Sequence, residues 1–205
     1  MKNLIYSAVA LGLFILLGSN AAAQSPTPDE TLFLQLQTQA TSDQATEQFF
    51  KYRLKNADTR LYLVAHLPEK ILQGPEGDYA LVWVNEVRLA GAFRIQETIP
   101  ALVKWMDQPM DALDGQTLSS LDRLFSFPAG RALAKMGEPA IPVLADALKT
   151  GDYRRRWVAC RALNMIGTPA ALHALVDHLE HESSPALKTY IQKVTQGRNA
   201  DASTP

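Results

Sequence analysis

One stretch of this chain repeats itself, and the repeat restricts what the chain can fold into. Arg131-Ala132-Leu133-Ala134-Lys135-Met136-Gly137-Glu138-Pro139-Ala140 lies thirty residues ahead of Arg161-Ala162-Leu163-Asn164-Met165-Ile166-Gly167-Thr168-Pro169-Ala170. Arg, Ala, Leu, Gly, Pro and Ala coincide. One extra residue, Ala171, then shifts the register, so that Ile141 to Leu148 falls against Leu172 to Leu179. An earlier copy, Ile99 to Met106, fits the same frame. Apolar residues come at three- and four-residue spacings, the helical period, and strand-like alternation is scarce. A fixed period with helical spacing implies stacked helical units, because no single unit can bury its own apolar face.

Each unit reads as two helices. The first ends at Gly137 or Gly167, since glycine takes up the left-handed conformation that closes a helix. Pro139 or Pro169 then opens the second helix, where a missing N–H costs nothing. Asp152 is placed to cap the next first helix. The pattern predicts burial of Ala132, Leu133, Leu144, Leu148, Leu163, Leu175 and Leu179. Tyr79 to Phe93 is apolar nearly all round, which predicts a central helix covered on several sides. Ser42 to Leu54 and Asp58 to Leu67 supply one more pair. The second unit has Ile95-Gln96-Glu97 where the others have Gly-x-Pro. The third is lengthened by 108–120, with Pro128 splitting its first helix. Pro185 to Val194 reads as a terminal helix covering the last unit.

The run R-A-L-x-x-x-G-x-P-A-I-P-x-L resembles HEAT repeats, especially the short HEAT-like type also found in phycobilisome lyases, over Asp78 to Glu182. The resemblance implies an all-α solenoid of about four helix pairs with a C-terminal capping helix. It also implies a protein-binding or scaffolding surface, without specifying a partner.

The N-terminus carries an address. Lys2 precedes an apolar run from Leu4 to Leu17, and Ala21-Ala22-Ala23 places small residues before Gln24. This is the layout of a secretory signal peptide over 1–23, with export to the periplasm or beyond. The run is too short to span a bilayer well, so no membrane span is expected after cleavage. Residues 24–30 (Gln24 to Asp29 with its two prolines) read as a linker, 31–196 as the repeat domain and 197–205 as a flexible tail. Cys160 is the single cysteine, so no intramolecular disulfide supports the exported fold. Its helical apolar surroundings read as a core position.

Chemistry is sparse. The chain has 205 residues, is 47% hydrophobic and carries a net charge of −1, which speaks against electrostatic capture of nucleic acid. No nucleophile elbow, zinc-helix, phosphate-loop or C-x-x-C motif is present. His173 and His178 are about 140° apart around their helix, and His178 and His181 about 60°. Two ligands fall short of a metal site, so these read as surface histidines. Deoxyhypusine hydroxylase is a HEAT-repeat enzyme with several His-Glu pairs, whereas this chain has one, His181-Glu182. Arg154, Arg155 and Arg156, with Arg161, point in different directions. They read as a solvated helix end or inter-repeat ion pairs, with an anion-binding patch as the alternative. No catalytic, cofactor-binding or metal-ligating residue is assigned.

Partner contact is expected on the second helices. Offsets of one, five and eight from Ile99, Ile141 and Leu172 fall within about 60° of one another, away from the apolar stripe. They give Pro100, Lys104 and Asp107, then Pro142, Asp146 and Lys149, then His173, Asp177 and Glu180. Trp105, on the flank of its helix, adds an aromatic anchor. The chain therefore reads as a non-enzymatic interaction module. The alternatives are a metal-assisted or lyase-like enzyme on the same scaffold, and a self-assembling structural protein. The sequence leaves oligomeric state open.

Overall fold

The repeated Gly-x-Pro does make the turn between paired helices, in two versions. Helix α8 (Tyr153–Ile166) starts at Asp152, whose side chain accepts from the Arg155 N–H at 2.9 Å. It ends at Gly167, left-handed at φ 65° and ψ 10°, with the glycine N–H donating to the Leu163 carbonyl at 3.0 Å. Thr168 caps and Pro169 opens α9 (Pro169–Leu179). One repeat earlier, α6 (Pro128–Met136) ends at Gly137, again at positive φ (76°) but with ψ −138°. That backbone leads into a 3-10 turn, Glu138–Ala140, before α7 (Ile141–Thr150). Both turns need a residue without a Cβ penalty at positive φ.

The computed structural model describes residues 27–38, 40–53, 56–75, 80–109 and 127–202. The expected signal peptide (1–23) and most of the lengthened part of the third unit lie outside the described residues. Within them the chain is all-α. Before α6 come α1 (Pro28–Leu36), α2 (Ser42–Gln48) with a π-helical turn Phe49–Arg53, α3 (Ala57–Gln73), α4 (Ala80–Ala92) and α5 (Ile99–Lys104). After α9 comes α10 (Pro185–Ala202). First helices α2, α4, α6, α8 and α10 pack in succession. Behind them α3 packs on α5, and α7 on α9. One continuous core runs from Phe33 to Ile191. Between the two layers α3 packs on α4, α5 on α6, α7 on α8 and α8 on α9, and α10 covers α8 and α9.

The burial pattern explains the stacking. Ala132, Leu133, Leu144, Leu148, Leu163 and Leu175 are buried as expected. So is nearly every face of α4, including Trp83, Val87, Leu89 and Ala90. The α4–α6 crossing is close because Gly91 has no side chain: a Cβ there would meet the Ala132 Cα at 3.0 Å.

Several boundaries differ from expectation. The segment read as a linker over 24–30 already contains the start of α1 at Pro28. Thr27 and Glu30 form a reciprocal capping box, Thr27 N–H to Glu30 Oε2 at 2.6 Å and Glu30 N–H to Thr27 Oγ1 at 3.2 Å. Helix α3 continues beyond Leu67, through Pro68 to Gln73, because Leu63, Leu67 and Ile71 recur at four-residue spacing and are all fully buried. Helix α10 extends through Gly197 to Ala202, into the segment read as a flexible tail. Pro128 is the first residue of α6. Leu179 is half-buried, and His178 takes the inward position instead.

Candidate interaction surface

The expected ladder divides at α5. Lys104 is exposed, yet its Nζ donates to the Leu72 carbonyl at 3.2 Å and lies 4.8 Å from the Trp105 ring centre. Trp105 is half-buried. Its indole N–H donates to the same carbonyl at 3.2 Å, and its ring covers Gly74, the residue after α3. Asp107 lies past the end of α5, where helical offsets no longer apply. It accepts from Arg155 Nη1 at 3.0 Å, while Arg155 Nη2 donates to the Val103 carbonyl at 2.8 Å. These three side chains close the ends of neighbouring elements.

On α7 and α9 the side chains at these offsets face solvent. Pro142, Asp146 and Lys149 are exposed on one helix, and His173, Asp177 and Glu180 on the other. Internal contacts engage them lightly. His173 Nδ1 and Asp177 Oδ2 are 2.8 Å apart, but their side chains are 77% and 59% exposed, so the pair stabilises little. Val176, at an offset of four, lies on the same side of α9 and is exposed, an apolar point among charges. Lys149, in the last turn of α7, complements that helix's negative end.

Beside this face lies a buried ionic cluster that sequence reasoning did not foresee. Arg156 grips Glu182 with two hydrogen bonds of 3.0 Å, from Nε to Oε2 and from Nη2 to Oε1. Its Nη1 donates to the Gly151 carbonyl at 2.9 Å. His178 Nε2 sits 2.9 Å from Glu182 Oε2, and the Ser184 N–H donates to Oε1 at 2.8 Å. Burial alone raises the carboxyl's pKa, but Arg156, Ser184 and His178 outweigh it and hold Glu182 at about 2. The reading of His178 as a surface histidine is thereby corrected: it is 7% exposed. The chain turns back after α9, which brings Glu182 over the histidine four residues earlier.

The arginine run separates as its spacing implied. Arg155 pairs with Asp107 of an earlier repeat, Arg156 with Glu182 in the turn after α9, and Arg154 is exposed. Arg161 lies over the rings of Trp157 and Tyr190, at 5.4 and 5.3 Å. Cys160 is fully buried, and burial pushes its thiol up to about 12. A thiol so far from ionisation is not a nucleophile at neutral pH. Lys149, Arg156, His178, His181 and Ser183 line an open pocket of about 470 Å³ at the C-terminal ends of α7 and α9. Sequence reasoning also missed two polar residues buried in the apolar helix α4, Asn85 and Glu86. The signal for them was available, since a carboxylate inside a largely apolar helix needs a partner or a purpose.

Residues 116–192 match the family of HEAT repeats. No curated protein and no solved structure matches the chain. Among the described residues, no helix is long and apolar enough to cross a membrane.

Proposed function

We propose that this chain, which carries HEAT repeats over residues 116–192, is an exported, non-catalytic scaffold that binds a protein partner through α7 and α9. The observation that carries this reading is the set of repeat-equivalent side chains left in solvent: Asp146 and Lys149 on one helix, His173, Asp177 and Glu180 on the next, with Val176 among them. Stacked repeats place equivalent positions side by side, which makes a continuous surface from a periodic sequence. Mixed charge around an apolar point suits a partner of complementary charge with a small aliphatic contact, since charges set register and a desolvated centre supplies affinity. Export is supported by Lys2, the Leu4–Leu17 run and Ala21-Ala22-Ala23.

A single reactive thiol tests the surface. Cys160 is buried and un-ionised, so in a Val176→Cys variant a benzophenone maleimide labels position 176 selectively. Photolysis in an envelope extract should give one protein adduct of defined mass, which Asp146→Lys with Asp177→Lys should suppress without lowering the melting temperature. Equal adduct yield in the charge-reversed variant, or an adduct only from a Met165→Cys probe on α8, refutes the assignment. N-terminal sequencing of the mature protein checks the address. Gln24 as first residue is expected, and Met1 retained on cytosolic protein rejects export.

A further inference from the structure

Glu86 stands in the middle of α4 and is only 3% exposed. Its Oε1 accepts a hydrogen bond of 2.7 Å from Gln37 Nε2. Its Oε2 has no hydrogen-bond partner among the described residues. The side chain lines a pocket of about 290 Å³ between the end of α1, the last turn of α3, and α4. Lys70 lines the same pocket without forming an ion pair with any described carboxylate. It acts on Glu86 only through its field. Gln37 and Gln73 also line the pocket, and Val82 and Trp83 add apolar lining. Burial holds the carboxyl up at about 7, and Gln37 and Lys70 offset this only in part.

An opposite-charge pair that shares a pocket but does not touch leaves room for something bearing both charges. A lone amine would meet repulsion from Lys70, and a lone carboxylate would meet it from Glu86. The volume is at the small end of ligand pockets, roughly 300–1,000 Å³.

We propose that this pocket binds a small zwitterion of the α-amino-acid class, its ammonium donating to Glu86 Oε2, its carboxylate meeting Lys70, and a short aliphatic side chain lying against Val82 and Trp83. Docking the ammonium gives Glu86 Oε2 a charged partner and favours the ionised carboxyl. The site lies on α1, α3 and α4 and does not depend on the α7–α9 surface.

Titration calorimetry on the intact mature chain, with L-valine as the probe, tests it. Valine should saturate in the micromolar to millimolar range. Isobutylamine, which lacks the carboxylate, and isovalerate, which lacks the ammonium, should each bind at least about tenfold more weakly, the loss expected for one charge-assisted contact. Near neutral pH the binding heat should vary with the buffer's own ionisation heat, because Glu86 gives up a proton. In two-dimensional NMR, valine should shift the Trp83 indole N–H, which donates to the Ile71 carbonyl beside the pocket. Glu86→Gln and Lys70→Met should each abolish that shift while circular dichroism shows them folded. No saturation by millimolar valine overturns the proposal. So does equal binding of isobutylamine, or valine binding that survives Glu86→Gln.

Discussion

Two buried carboxyl groups, Glu86 and Glu182, are pulled in opposite directions, and each leaves its own mark on stability. Glu182 is held at about 2 against an ordinary 4.5. The folded chain therefore binds its proton less readily than the unfolded chain. The stability this contributes is complete above about pH 4.5 and is lost as pH falls through about 2, a change of about 3 kcal/mol. Urea titrations across the acid range should show this limb, and Glu182→Gln should flatten it. The variant should also cost roughly 3 kcal/mol at neutral pH, since Arg156 loses its carboxylate. Glu86 has the opposite sign. Its pKa is raised to about 7 by burial, so between about pH 4.5 and 7 the folded chain keeps a proton that the unfolded chain has lost. Stability then falls as pH rises through that window. Glu86→Gln should raise the melting temperature at pH 8, by up to about 3 kcal/mol in stability, and have little effect below pH 4.5. An unchanged pH profile in Glu86→Gln contradicts this account.

Helix α3 shows how an element survives an unfavourable residue. Pro68 lies inside it, and an interior proline costs about 3 kcal/mol through a lost hydrogen bond and a clash. Its last turn is held from outside. Trp83 donates its indole N–H to the Ile71 carbonyl at 3.1 Å, and Trp105 and Lys104 both donate to the Leu72 carbonyl. Gly74, at φ 90°, lets the chain leave beneath the Trp105 ring. A Cβ at Gly74 would lie 2.3 Å from a ring carbon of Trp105. Gly74→Ala should therefore displace the indole and destabilise the chain by roughly 1–3 kcal/mol, combining backbone strain with the lost contact. Trp105 emission, isolated in a background lacking the other two tryptophans, should shift to the red. Unchanged emission together with unchanged stability would count against this role for the ring. The same contacts explain why Trp105, sensible as a partner anchor by its position on the helix, has an intramolecular task.

At the scale of the whole molecule, each helix packs mainly on neighbours in the stack, so damage should stay partly local. Leu144, on α7, is fully buried. Leu144→Ala should cost roughly 2–5 kcal/mol through transfer and cavity terms. Hydrogen exchange should show the loss of protection concentrated in α6 to α9, with α1 to α3 less affected. Uniform loss along the chain would mean that the stack unfolds as one cooperative unit. Far-UV circular dichroism should remain wholly helical in type.

The recurrence of Arg-Ala-Leu, Gly-x-Pro and the apolar spacing determined the helix pairs, their turns and their buried faces, because these follow from local backbone preference and helical period. The start of α1 was legible too, in the capping signature Thr27-Pro28-Asp29-Glu30, but the two prolines around it resembled a linker. Which polar side chains are used internally was decided only by tertiary structure. His173 and His178 stand on one helix, yet one is solvated and the other buried against Glu182. The difference depends on where the chain turns after α9. Lys104 and Asp146 hold equivalent places in the repeat, but only Lys104 has the end of α3 within reach. Periodicity assigns a side chain to a face, whereas the groups it meets there come from segments distant in sequence. The Glu86 pocket is the extreme case. Its lining comes from Gln37, Lys70 and Glu86, which no repeat relates to one another.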